Sequence, residues 1–314
     1  MKVAYLIIAH NQPGLLARLV RALDCEWARF FIHVDAKADL APFRDLLQRC
    51  DNVIFLWGEQ RVKVYWGGFS QVQATLNLLE AAEDFDGDFS RYCLLSGSDF
   101  PIKPLAAIKE QFASDREFMR IDRRLDRASE VSCRHTRAIS RYFFLDLPLP
   151  RWIKLHLLSG WIPRSAYPGM PLYHGAQWWS LTGDCGRYLV RFVREYPSYS
   201  SFCRHVLAPD EIFFHSIVKH SPFAQSISHD FERAGKLAEF YALNDHGCHY
   251  IDWNAQQKVL PKILTSQDLG ALRHSKALFA RKFDSIQSLE LVQILENEVM
   301  GSHGNLSTSS GPTS

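Results

Sequence analysis

The stretch "RYCLLSGSDFPIKP", Arg91 to Pro104, decides how the chain is read. Its apolar run, Tyr92-Cys93-Leu94-Leu95, is short, carries no charge and stops abruptly at Ser96-Gly97-Ser98-Asp99. A strand buried on both faces has this pattern, and in a parallel sheet its carboxyl end delivers polar groups to a site. Asp99 is therefore a candidate site residue. A second carboxylate two positions earlier would complete a D-x-D pair able to hold a divalent metal, but that position is Gly97. A polyanion bound at this strand end must find its countercharge elsewhere.

Upstream the same pattern repeats. The segments "VAYLIIAH", Pro13 to Leu23 with apolar residues at helical spacing, "RFFIHVD", a helix through Phe43 to Leu47, and "NVIFL" alternate strand with helix. This βαβ rhythm predicts an α/β fold with a mostly parallel, Rossmann-like central sheet flanked by helices. Polar residues fall at the strand ends: His10-Asn11, His33 and Asp35, Trp66-Gly67-Gly68, and Asp99. Their convergence reads as a site in preference to turn chemistry.

Downstream, Asp122 to Pro171 mixes aromatic, arginine and proline residues with poor periodicity, as functional loops and lids do. The alternative is a hydrophobic subdomain that touches no substrate. "YHGAQWWSLTGDC" predicts another strand, and "APDEIFFHSIVKH" a helix opening at Pro209 with two acids in its first turn. With no internal repeat and no second boundary, 1–300 reads as one domain. The polar tail 301–314, "GSHGNLSTSSGPTS", is expected to be disordered.

Composition narrows the classes. With 314 residues, 47% hydrophobic and 22% charged, the chain can bury a full core, and its net charge of +2 gives no basis for a nucleic-acid surface. The arginine-rich segment Arg116 to Arg141 leaves both a solvated face and an anion site open. Seven cysteines without C-x-x-C spacing suggest neither a disulfide framework nor a zinc site, and point to a reducing compartment. The first apolar run breaks at His10-Asn11, too soon for a signal-peptide core or a membrane span, so a cytosolic protein is expected.

Two segments carry chemistry of their own. Asp210 and Glu211 sit together in "APDEIFF". Asp210 is the natural partner of a helix dipole, whereas Glu211 precedes a run of apolar side chains whose dryness would suit a general base. In "LFARKFD", Arg281 and Lys282 lie between Phe279 and Phe283. They fit a half-buried surface element or, for a diphosphate held without metal, an arginine fork beside a mobile ammonium. Asp86-Gly87-Asp88 is a literal D-x-D, but it precedes the apolar strand and reads as a turn. His215, four residues after Glu211, finds no third metal ligand by spacing and reads as structural. No G-x-S-x-G, Walker or G-x-G-x-x-G sequence is present.

Taken in order, "AYLIIAH", "FIHVDAKAD", "WGGFSQVQATLNLL", "YCLLSGSDFPIKP", "APDEIFFHSIV", "YIDW" and "FARKFD" resemble the core-2/I-branching N-acetylglucosaminyltransferase and peptide O-xylosyltransferase family. The resemblance implies a GT-A fold and inverting transfer from a UDP-sugar, xylose or N-acetylglucosamine, to a hydroxyl of a glycan or glycoconjugate acceptor. It implies no cofactor and no metal. Glu211 would be the general base, and Arg281 with Lys282 would bind the diphosphate. Asp35 with Lys37 would contact the uridine, and Trp66 would line the nucleotide pocket. His10, Ser98 and Asp99 would complete the donor side. Gln177, Trp178, Trp179 and Asp210 would face the acceptor, with 122–171 as the variable acceptor-side region. Where the xylosyltransferases of the family have serine-aspartate-tryptophan before the base, this chain has "GAQWW", with Gln177 in place of the acid. A cytosolic bacterial enzyme, peripheral at the inner membrane face where its acceptor is anchored, is the context implied. The rival readings are a non-catalytic UDP-sugar or glycan binder and a two-carboxylate glycoside hydrolase.

Overall fold

The computed structural model describes residues 1–85, 88–125, 134–154, 161–235, 244–253 and 260–300. Asp86 and Gly87 of the early D-x-D and the tail 301–314 lie outside the described residues.

The chain begins as its patterning predicts. Strand β1 (Val3–Ala9) leads to helix α1 (Pro13–Leu23), then β2 (Ala28–Val34), α2 (Ala41–Leu47), β3 (Val53–Phe55), α3 (Ser70–Phe85) and β4 (Arg91–Ser96). In α1 a proline occupies the first turn, where its missing N–H costs nothing, and Leu15, Leu16, Leu19, Val20 and Leu23 are buried. β1 lies between β2 and β4 and is parallel to both. The chain therefore builds to one side of β1 as far as β3 and then crosses to the other. Such a reversal opens a crevice at the carboxyl ends of the strands.

Beyond β4 the sheet changes character. β5 (Phe100–Pro101) leaves it; β6 (Glu117–Leu125), β7 (Leu172–Gly175) and β8 (Ser180–Thr182) extend it in the order β3-β2-β1-β4-β8-β6-β7, and β9 (Ile227–Asp230) pairs with β6. The pairs β4/β8, β8/β6 and β6/β7 are antiparallel, whereas β9 is parallel to β6. A second sheet joins β10 (Asp245–His246), β11 (His249–Ile251) and β12 (Phe279–Arg281) to β5. Its pairing of Ala280 with Phe100 brings the distant "FARKF" beside "SGSDFP".

One apolar cluster joins α1 and α2 to β12 and the helix Leu289–Met300; the other joins α3 to the helices Gly183–Glu195 and Phe213–Lys219. No helix among the described residues is long and apolar enough to cross a membrane.

Four local expectations are corrected. Asp122 does not open an irregular segment, because β6 continues to Leu125. Trp66 sits in the turn that enters α3, not at a strand end. The "YHGAQWWSLTGDC" segment forms two short strands, β7 and β8. Pro209–Glu211 is a separate 3₁₀ turn, and the helix proper starts at Phe213.

Candidate active site

A cavity of about 1470 Å³ opens where the carboxyl ends of β1 and β4 meet the second sheet. Its wall includes His10, Asp35, Lys37, Trp66, Gln177, Trp178, Asp210, Glu211, Arg281 and Lys282, so ten sequence-predicted residues from six segments share one space.

The side expected from the sequence to face the nucleotide is held by hydrogen bonds and an ion pair. Asp35 is buried; its Oδ1 accepts the amides of Lys37 (2.9 Å) and Val64 (3.3 Å), and its Oδ2 lies 3.1 Å from the Lys37 ammonium. That ammonium also lies 4.6 Å from the Tyr65 ring centre. Burial lowers the His10 pKa, and Lys282 adds to the effect against the pull of Asp35.

Arg281 is the unusual cation. Its guanidinium stacks 4.1 Å from the Trp178 ring and lies 3.6 Å from Asp99, yet Nε and Nη1 are buried without a hydrogen-bond partner. Burial lowers its pKa and Asp99 opposes the shift; an arginine so placed remains charged. Lys282 presents an ammonium that makes no protein ion pair among the described residues.

Three expected contacts are not made at the cavity wall. Asp99 is fully buried: it accepts the Ser96 amide at 2.7 Å, faces His249 at 3.3 Å and supports Arg281 from behind. Ser98 is buried and its carbonyl accepts the Phe283 amide, which ties β12's exit to the β4 turn. Trp179 belongs to the core, edge-on to Phe214, with its carbonyl accepting the Leu94 amide at 2.9 Å just before β8, while Trp178 lines the cavity. Gly97 also has its explanation: a Cβ there would come within 3.0 Å of the Ala9 Cβ, so a second aspartate does not fit without movement of β1.

On the opposite wall the two acids exchange the surroundings expected of them. Asp210 is the dry one: burial, then the neighbouring Glu211, pushes its carboxyl up to about 8, and its Oδ1 has no partner while Gln71 reaches Oδ2 at 3.3 Å. The Glu211 side chain is 40% exposed, open to a ligand. Its Oε2 lies 3.2 Å from His174 Nε2, and His174 Nδ1 lies 3.0 Å from Asp122 Oδ2. Asp122 also accepts Arg120 Nε at 2.9 Å, and Arg120 touches both ring nitrogens of His246 at 3.1 Å.

Sequence reasoning missed Arg120, Asp122, His174 and His246. The available signal was "FMRID", charges inside an otherwise apolar strand, with a lone histidine before Gly175. His215 is structural, as expected: fully buried, its Nε2 donates to the Ala176 carbonyl at 2.8 Å, and burial pulls its pKa to about 4. Among the described residues no three His, Cys, Asp or Glu side chains are grouped to hold a metal ion.

The chain is similar to several known proteins. Over 317 residues, 96% of the chain, it is 26% identical to xylosyltransferase 2 of Rattus norvegicus, and over 324 residues 25% identical to xylosyltransferase 1 of the same organism. The chain spans about a third of the length of these relatives, 34% and 36%. A crystal structure of mouse xyloside xylosyltransferase 1 in its apo form matches with a TM-score of 0.37 at 13% identity, covering 88% of this chain and 96% of that one. The family model described as Core-2/I-Branching enzyme matches residues 3–273, and the chain belongs to that family.

Proposed function

We propose that this chain is an inverting, metal-independent glycosyltransferase that moves a sugar from a UDP-sugar to a hydroxyl of a glycan or glycoconjugate acceptor. UDP-xylose is the first donor to test, because the similar proteins named above are called xylosyltransferases; UDP-N-acetylglucosamine is the second. One observation carries the reading: an arginine with unpartnered buried donors and a lysine without an ion pair among the described residues share a cavity with an accessible carboxylate.

The acceptor O–H gives its proton to Glu211 while its oxygen attacks the anomeric carbon. The bond from that carbon to the diphosphate breaks, and the electron pair leaves on the β-phosphate. Arg281 and Lys282 neutralise that growing charge, the task a divalent ion performs elsewhere. General-base assistance of this kind is worth about 10²–10⁴ in rate. A glycoside hydrolase is disfavoured because Asp210 and Glu211 are adjacent on one turn, whereas its two carboxyls must flank the scissile bond. The six described cysteines are free, which fits a reducing compartment and a cytosolic site for the reaction.

The test is UDP release from each donor in EDTA. Glu211→Gln is expected to lower turnover by about 10²-fold or more with UDP binding intact, and Lys282→Ala to weaken UDP binding as well as turnover. Full turnover in Glu211→Gln would remove it as the base; a requirement for manganese would overturn the metal-independent part.

A further inference from the structure

Asp122, His174 and Glu211 form a line of hydrogen bonds running from the interior of the sheet to the cavity. Its origin is a fault in β-pairing. Ile121 pairs with Gly175 and Arg123 with His174, so β6 advances two residues while β7 moves one, and Asp122 is the extra residue of a bulge. Bulges re-aim side chains, and this one places a buried carboxylate 3.0 Å from the ring of His174. Gly175 permits the close approach: a Cβ there would lie 1.8 Å from the Arg120 carbonyl oxygen.

The ring lies between two carboxylates, which when ionised only accept, so both its nitrogens donate and it is an imidazolium. We propose that His174, held by Asp122, is the positioning residue for the general base, fixing Glu211 Oε2 so that Oε1 is left for the acceptor hydroxyl. This inference rests on Glu211 being the base. The proton lost by the acceptor goes to Oε1, and the ring keeps both of its own throughout.

Among the described residues the groups facing His174 include Asp122 and, behind it, Arg120 on β6, Asp210 and Glu211 on the 3₁₀ turn, and neutral His215 on the following helix. Burial alone would lower the imidazole; the bonds to Asp122 and Glu211 outweigh it and hold the pKa at about 9. Positioning is therefore present at neutral pH and lost as pH rises through about 9.

The experiment follows UDP release from UDP-xylose and UDP-N-acetylglucosamine against pH, together with ¹⁵N chemical shifts of the His174 ring. The wild type is expected to show an alkaline limb near pH 9 that coincides with ring deprotonation. Asp122→Asn should move both to lower pH. His174→Ala should lower kcat by about 10²-fold, leave KM for the donor within about twofold, and abolish the limb. His174→Gln, which keeps one donor, should recover part of kcat. The stabilisation by UDP reports that each variant is folded. A ring that is neutral at pH 7, a limb unmoved by Asp122→Asn, or His174→Ala within about twofold of wild-type kcat would overturn the inference alone. A wild type that releases UDP from neither donor, or a fully active Glu211→Gln, would instead overturn the function on which it rests.

Discussion

Two arginines are buried at opposite ends of β4, and the fold treats them differently. Arg91, its first residue, is fully buried and donates to the carbonyls of Phe112 (3.0 Å), Arg116 (2.9 Å), Ser180 (3.2 Å) and Ser114. Arg281, beside the carboxyl-terminal turn, has a ring on one face and Asp99 at 3.6 Å, with two nitrogens unpartnered. Buried polar groups are almost always hydrogen-bonded, and a stranded donor costs about 1–3 kcal/mol. Arg91 therefore stitches the sheet to its surroundings, whereas Arg281 leaves two donors that, under the proposed function, would take the oxygens of a diphosphate. Both carry the same charge, and Arg281 is only slightly more exposed, at 13% of its side chain; the partners are what set them apart.

The comparison can be broken most directly at Arg91. Arg91→Leu would leave four backbone carbonyls without their donor, and we expect the largest stability loss here, on the order of 3 kcal/mol or more, read from urea unfolding. A loss under about 1 kcal/mol would mean that these bonds are not what holds the sheet edge.

Arg281→Met should behave in the opposite way. Asp99 retains the Ser96 amide and His249, so the fold loses less than it does at Arg91. What disappears is the stabilisation by UDP in EDTA, about 2.7 kcal/mol at a hundredfold excess over Kd in the wild type. An unchanged UDP response would show that the unpartnered nitrogens serve something else.

A third test lies at Asp210, where dryness raises a carboxyl without pairing it. Between about pH 4 and about 8 this group is protonated in the folded chain and ionised in the unfolded one, so its contribution to stability, complete below that window, is lost as pH rises through it. Asp210→Asn should flatten that part of the stability curve. A slope identical to wild type would place the carboxyl in a wetter setting than the structure indicates.

The contrast between Arg91 and Arg281 also separates what was legible from what was not. "FARKF" raised the question of paired cations, but "SRYCL" raised none about Arg91, because a lone arginine at a strand start carries no local mark of burial. Glu211 was chosen over Asp210 for a dry setting, and the structure gives that setting to Asp210. Position in a tight turn, not the polarity of the following residues, decides which of two adjacent acids is enclosed.

Local pattern determined the β1–α1–β2 and β4 elements and the polar residues at strand ends, since apolar runs, helical spacing and turn residues act over a few positions. Register was decided only by tertiary pairing. It sent Trp178 to the cavity and Trp179 to the core, placed Arg281 in front of Asp99 across 182 positions of chain, and made Asp122 a bulge aimed at His174. Each depends on which strand lies alongside and in what phase, and a shift of one residue exchanges the two faces of a strand.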